Sequence, residues 1–395
     1  MNIRVRQGDS FWYYSQLFQV PVTLIVDSNP DVNPNALQIG QVVSIPGHFI
    51  SFYQVQPGES FWRIANERGI SVDALMAVNP TVSPYALQIG QQINIPVRVV
   101  NPIVVGKRAY SYSDMVREIN QLTEIYPFIT TRIIGNSVMG KDLIELQIGR
   151  GNKRVHMNGS FHAHEWITTP ILMQTLNEYL LSLTNQGSIR GLFMPPYYDS
   201  VTLSIVPMVN PDGVDLLVEG LPEEPYRSTV LAINDGSTDF SDWKANIRGV
   251  DLNNQYPALW EEEAERKPSS PAPRDFPGYA PLTEPEAVAM AELAEESGFD
   301  RVLAYHTQGS VIYWGFQGLE PPIAEDIVSE FARVSGYWPI RYVDSFAGYK
   351  DWIIQEWQIP AYTVELGRGV NPLPISQFDT IYQQNLGIFL ASLYM

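Results

Sequence analysis

The apolar positions of this chain change their spacing after about the first hundred residues. Early on they come in short bursts. RQGDSFWYYSQLF, from Arg6, opens with a turn and continues with large apolar residues at helical spacing. The arrangement returns as VQPGESFWRIANERG, and ALQIGQVVSIP returns as ALQIGQQINIP. Gly8 and Gly58, Asn29 and Asn79, and Gly40 and Gly90 all stand 50 residues apart, so the region is a tandem duplication. Each copy predicts strand, helix, helix, strand. Ser10 and Ser60 are placed to cap the first helix, Gly69 ends it in the second copy, and Ser71 opens SVDALMAVNP. QQINIP is the closing strand. Trp12 and Trp62 occupy equivalent positions. Stacking on sugar is one reading of them, and packing in each copy's small core is the favoured one.

From about residue 100 the segments lengthen. YSYSDMVREINQLTEIYP has helical periodicity, with Ser113 as the expected N-cap. DLIELQIG and KRVHMNGSF read as strands, and HEWITTPILMQTLNEYLLSL as a long helix. VTLSIVPMVN is a buried strand ending in the turn NPDG, and RVLAYHTQG and PAYTVELG are further strands. Strands alternating with helices predict an α/β sheet covered on both faces, with ligands outside the carboxyl ends of strands. His162, His306 and Glu365 fall at such ends. The Pro- and charge-rich stretch from Glu261 to Ala287 reads as a surface loop inside one domain.

Composition narrows the function. A chain of 395 residues exceeds one ordinary core. A formal charge of −18 disfavours nucleic acid as a partner. The absence of cysteine excludes disulfides, thiolate metal sites and cysteine nucleophiles, so a transition metal must be held by histidine and carboxylate. MNIRVRQGDSFWYY has neither the apolar run nor the cleavage site of a secretory signal, and no long apolar run suggests a membrane span. A cytoplasmic protein is the expectation from the sequence.

FHAHEWITTP, from Phe161, holds two of the chain's five histidines and a glutamate. A zincin would need a histidine four residues after His164, where Thr168 stands. A metallo-β-lactamase-like site would begin His-x-His but continue with an aspartate and a histidine that are missing. His162 and Glu165, at i and i+3, lie on one face of a helical turn and can reach one ion. A catalytic zinc wants three protein ligands and a water. His48 lies in the connector between the repeats, His156 inside a strand, and His164 too far round the turn. His306, at a strand end, is the best third ligand. Ser241 and Lys244 match S-x-x-K by chance, since the companion motifs are missing.

Two resemblances add to this reading. The repeats, over about residues 3–46 and 52–96, resemble LysM modules, which implies binding to N-acetylglucosamine-containing glycans such as peptidoglycan. From about residue 108 onward, FHAHEWITTP, IGNSVMGKDLIELQIG, VPMVNPDGV, GVDLN, PLTEPEA, the strand of His306 and TVELG resemble, in order, the zinc carboxypeptidase family. The combination implies LysM modules at residues 1–47 and 48–98. A catalytic domain at 99–395 would follow, an α/β/α sandwich on a mixed eight-stranded sheet. It implies one zinc ion on His162, Glu165 and His306, with Glu365 as general base. Asp251 is expected to orient the first histidine, and Asn253 to contact substrate carboxylate.

The family's next arginine, which clamps a free substrate C-terminus, is replaced by Asn254. That substitution allows a substrate continuing past the cleaved residue. For the cation that stabilises the oxyanion, Lys244 is favoured over its rival Arg248. For the mobile tyrosine, Tyr342 is nearest and Tyr349 the alternative. Lys350, in AGYKDW, is placed to pair with a carboxylate on the residue after the scissile bond, an exposed lysine being the other reading. The whole resembles bacterial peptidoglycan endopeptidases that cut between γ-D-glutamate and meso-diaminopimelate in stem peptides. Relatives of that kind suggest the mother-cell cytosol of a sporulating bacterium, or the spore or cell wall. A carboxypeptidase on free peptides, an inactive wall or spore-coat protein, and an amidase acting between sugar and peptide are the alternatives.

Overall fold

The computed structural model describes residues 1–395. Met1–Ile103, with Glu118–Thr130 and Asn177–Pro196, form one compact unit, and the other residues form a second.

In the first unit each repeat is a β-α-α-β module. The first comprises β1 (Asn2–Arg4), α1 (Phe11–Phe18), α2 (Val22–Asp27) and β2 (Val42–Ser44), with β1 and β2 antiparallel. The second comprises β3 (His48–Gln54), α3 (Phe61–Glu67), α4 (Val72–Ala77) and β4 (Gln92–Arg98), with β3 and β4 antiparallel. The expected caps are in place. Ser10, Ser60 and Ser71 accept from the backbone N–H of Tyr13, Arg63 and Ala74. Phe61, Ile64, Ala65 and Leu75 build the core of the second module with Val55, Ile93 and Ile95. In so small a core, truncating Phe61 to alanine costs about 3–5 kcal/mol, enough to unfold the module. Arg6 reaches across from the first module to Asp73 of the second at 2.9 Å.

Trp12 and Trp62 correct the expectation of core packing, being 67% and 68% exposed. Phe11, Tyr14 and Phe18 fill the buried face of α1 at i, i+3 and i+7, which turns the residue after Phe11 outward.

The second unit carries the larger sheet. Its elements, some shared with the first unit, are α5 (Tyr112–Ile125), β5 (Thr130–Asn136), β6 (Asp142–Gly149), β7 (Lys153–Asn158), α6 (Thr168–Thr184), β8 (Val201–Val206) and α7 (Pro211–Val218). Then follow α8 (Pro285–Ser297), β9 (Arg301–Thr307), β10 (Val311–Tyr313), α9 (Ile323–Ser335), β11 (Trp338–Ile340), α10 (Tyr349–Trp357), β12 (Ala361–Leu366) and α11 (Phe378–Tyr394). The eight strands lie in the order β11-β10-β12-β9-β7-β8-β6-β5. The central strands β12, β9, β7 and β8 are parallel, while β6 runs antiparallel to β8 and β10 antiparallel to β12. Every residue of β9 is buried, because both faces are covered. Val302, Ala304 and Ala361 pack under α8 and α10, and Tyr362 packs on Phe331 of α9 on the other side.

Two local expectations shift. The cap of α5 is Ser111, which exchanges hydrogen bonds with Asp114, while Ser113 lies inside the first turn. The helix after β7 starts at Thr168, because Ala163–Glu165 forms a 3-10 turn first. No helix is long and apolar enough to cross a membrane.

Candidate metal centre

Three side chains from two parts of the chain meet at the carboxyl ends of β7 and β9. His162 caps the 3-10 turn that follows β7 and Glu165 ends it, which places i and i+3 on one side. His306 is the sixth residue of β9 and pairs in register with Glu365 of β12. One ligand atom from each of His162, Glu165 and His306 lies within 4.8 Å of the others, and all three residues are buried. His162 Nδ1 is 2.9 Å from Glu165 Oε1, and His306 Nδ1 is 3.0 Å from Glu165 Oε2. The two Nδ1 atoms are 3.2 Å apart. Both Nδ1 atoms and the Glu165 carboxylate thus converge on one point, which suits a shared cation. Two histidines and one carboxylate with an open side are the ligand set of a catalytic zinc.

The surroundings reinforce that fit. His162 Nε2, on the far side of the ring, is 3.2 Å from Asp251 Oδ1. That contact fixes which nitrogen faces the cluster, as an outer carboxylate does for a metal-bound histidine. Burial opposes a charge on His162, yet Glu165 and then Asp251 outweigh it and lift its pKa to about 9. The same field attracts a metal ion. Burial, with the neighbouring Glu165 carboxylate, pushes the Glu365 carboxyl up, and its Oε2 is buried without a partner.

The remaining expected residues separate into groups. Lys244 Nζ is 2.7 Å from Asp251 and 2.8 Å from Asp275, and its charge is felt by His162, His306 and Glu365. Arg248 is half-exposed and turned to Glu284 at 3.5 Å, so it does not join the cluster. Asn253 accepts from the Tyr349 N–H at 3.1 Å, and the buried Asn254 donates to the Phe346 carbonyl at 3.2 Å. Tyr342 is exposed, donates to Glu320 at 3.1 Å, and lines a cavity of about 520 Å³ with Phe316, Val343, Phe346 and Asp351. Tyr349 is fully buried among Phe161, His156 and Tyr256, so it is a core residue and not the mobile tyrosine. Lys350 is neither exposed nor free. It is buried, donates to the Gly315 carbonyl at 2.8 Å, and pairs with Asp351 at 2.5 Å.

The spare histidines are also placed. His164 is buried with its ring centre 6.2 Å from that of His162, outside the ligand group. His156 is 2.9 Å from Ser204 in the sheet, and His48 is 3.1 Å from the Pro46 carbonyl. Asp275, the second anchor of Lys244, has no sequence signal. It lies in the Pro-rich stretch, where no periodicity marks it.

Residues 115–387 match the zinc carboxypeptidase family, and residues 3–46 and 53–96 each match the LysM domain. The chain belongs to the zinc carboxypeptidase family and carries two LysM domains in tandem. Over 396 aligned residues it is 60% identical to the Gamma-D-glutamyl-L-diamino acid endopeptidase 1 of Lysinibacillus sphaericus, spanning 100% of each chain. Two solved structures share the fold. Thrombin activatable fibrinolysis inhibitor superposes with a TM-score of 0.58 at 17% identity, over 79% of this chain and 90% of its own. The carboxypeptidase A of Helicoverpa armigera superposes with a TM-score of 0.53 at 18% identity, over 84% of this chain and 81% of its own. The chain is a metallopeptidase, and its cofactor is zinc.

Proposed function

We propose that this chain is a peptidoglycan hydrolase that cleaves the γ-D-glutamyl–meso-diaminopimelate bond of stem peptides. The end-to-end match to an enzyme named for that type of bond carries the reading, because it spans the LysM domains and the catalytic domain together. The LysM domains hold N-acetylglucosamine-containing glycan, and two linked sites raise the effective concentration of the enzyme on a polymer. We place the work at the cell or spore wall, where that polymer is found. Asn254 supports the reading. Where the family carries an arginine for a free C-terminus, this chain presents a buried neutral amide bound to Phe346.

His162, Glu165 and His306 would hold the metal, with Asp251 keeping His162 in the orientation the site needs. When bound there, zinc would act as a Lewis acid and make a water easier to deprotonate. Glu365 stands beside His306 and takes the proton of the attacking water, then returns it to the leaving amine. Lys244, fixed by Asp251 and Asp275, supplies positive charge toward the oxygen that becomes negative. Tyr342, exposed beside the cavity, closes over the bound peptide, and Asn253 contacts its carboxylate, while Lys350, buried on Gly315 and Asp351, is not available to the substrate.

Mass spectrometry of muropeptides incubated with the protein, with and without a chelator, tests the assignment. The expected products end in γ-D-glutamate and begin with diaminopimelate, only in the metal-loaded arm, and C-terminally blocked stems are cut as well. Release of C-terminal residues alone, or cleavage between sugar and peptide, would replace this reading by a carboxypeptidase or an amidase.

A further inference from the structure

The loop that follows β12 returns to the metal cluster through one side chain, Asn371. Its amide makes a closed pair of hydrogen bonds with Thr307, the neighbour of His306. The Thr307 hydroxyl donates to Asn371 Oδ1 at 2.7 Å, and Asn371 Nδ2 donates to the Thr307 carbonyl at 2.9 Å. A hydroxyl on one atom and a carbonyl on the other leave a single way to orient the amide. The second N–H of the same nitrogen then faces Glu165 Oε1, at 3.4 Å. Two further contacts hold the loop against this strand end. The Gly309 N–H donates to the Gly367 carbonyl at 2.8 Å, and the Ser310 hydroxyl donates to the same oxygen at 3.1 Å.

Glu165 and His306 are 141 residues apart in sequence and sit on different elements. Within each element the backbone fixes one ligand, but the fit between the two depends on what joins them. We propose that Asn371 is that joint, a positioning residue whose amide holds the Glu165 carboxylate in one rotation relative to His306. A donor on one carboxylate oxygen also settles which oxygen keeps its full charge for a metal ion. Groups that orient ligands in this way change metal affinity on the order of 10- to 100-fold when removed.

The inference concerns metal binding and stands whether or not the stem peptide is the substrate. Zinc dissociation constants of the full chain, measured by competition with a chromophoric chelator, test it. Melting of the chelator-stripped chain and the visible spectrum of the cobalt-substituted chain are read alongside. Asn371→Ala is expected to weaken zinc on the order of 10- to 100-fold and to alter the cobalt spectrum, with the melting of the stripped chain nearly unchanged. Thr307→Val removes the hydroxyl that locks the amide and leaves both N–H contacts possible, so a smaller loss in the same direction is expected. Zinc affinity within about twofold of the parent in Asn371→Ala would overturn the proposal. So would a loss matched by collapse of the metal-free fold.

Discussion

His306 and Glu365 are in-register partners on adjacent parallel strands, β9 and β12. Adjacent parallel strands run about 4.8 Å apart, so the proposed metal ligand His306 and a carboxylate with a buried, unpartnered oxygen stand side by side at the same strand ends. The sheet thus sets their spacing without help from any loop. Glu365→Gln keeps the shape and removes the proposed base. It is expected to retain zinc and to lose on the order of 10²- to 10⁴-fold in kcat on stem peptide. Metal analysis beside the kinetics decides the point, since zinc lost along with activity would make Glu365 part of the metal-holding set.

The ligand assignment separates neighbours in FHAHEWITTP. His306→Ala removes one of three donors and is expected to leave the chain without zinc after dialysis. His164→Ala takes away a buried ring that lies outside the ligand group, so the chain should still bind one zinc, at a cost in thermal stability. Metal content of the two purified variants is the measurement. Zinc missing from His164→Ala in a chain that melts cooperatively would put that residue in the site.

In WKANIR the sequence favours Lys244 over Arg248 as the oxyanion cation, and the fold separates the two. Lys244 is held by Asp251 and Asp275, whereas Arg248 turns to Glu284. Lys244→Ala should lower kcat on the order of 10²- to 10³-fold, the usual effect of removing a group that stabilises an oxyanion. Arg248→Ala should stay within about twofold of the parent. Equal losses in the two variants would return the question to Arg248. Zinc content checks that the Asp251 contact to His162 survives in Lys244→Ala.

What could be read in advance follows from how local each cause is. The spacing of His162 and Glu165 is a property of one turn, and the strand ends of His306 and Glu365 follow from short apolar runs, so these were visible. Asp251 was visible only through GVDLN. Trp12 faces outward because Phe11, Tyr14 and Phe18 fill the buried stripe of α1, a spacing that is itself legible in the sequence. Tyr349 and Lys350 open α10 beside the site in sequence, but burial against β7 and Gly315 is decided by tertiary packing. Asn371 and Asp275 sit in loops without periodicity, and only the folded chain brings them to the cluster.

Glu286 carries a pH dependence of stability that is independent of the metal. It lies in the first turn of α8, accepts from the Val138 N–H at 3.0 Å, and is fully buried near Asp212 and Glu284. Burial first, and then those two carboxylates, push its pKa from 4.5 to about 7. Below the lower value both folded and unfolded chains hold the proton. Between the two values the unfolded chain releases it and the folded chain keeps it, so stability falls as pH rises through this window and levels off above it. The shift corresponds to about 3 kcal/mol. Glu286→Gln stays neutral throughout and keeps the acceptor for Val138. Denaturant midpoints of both chains, stripped of zinc so that metal release does not intervene, should show the variant gaining on the parent from pH 4.5 to pH 8 by about that amount. A difference between them that stays constant with pH would mean that Glu286 titrates like an ordinary carboxylate.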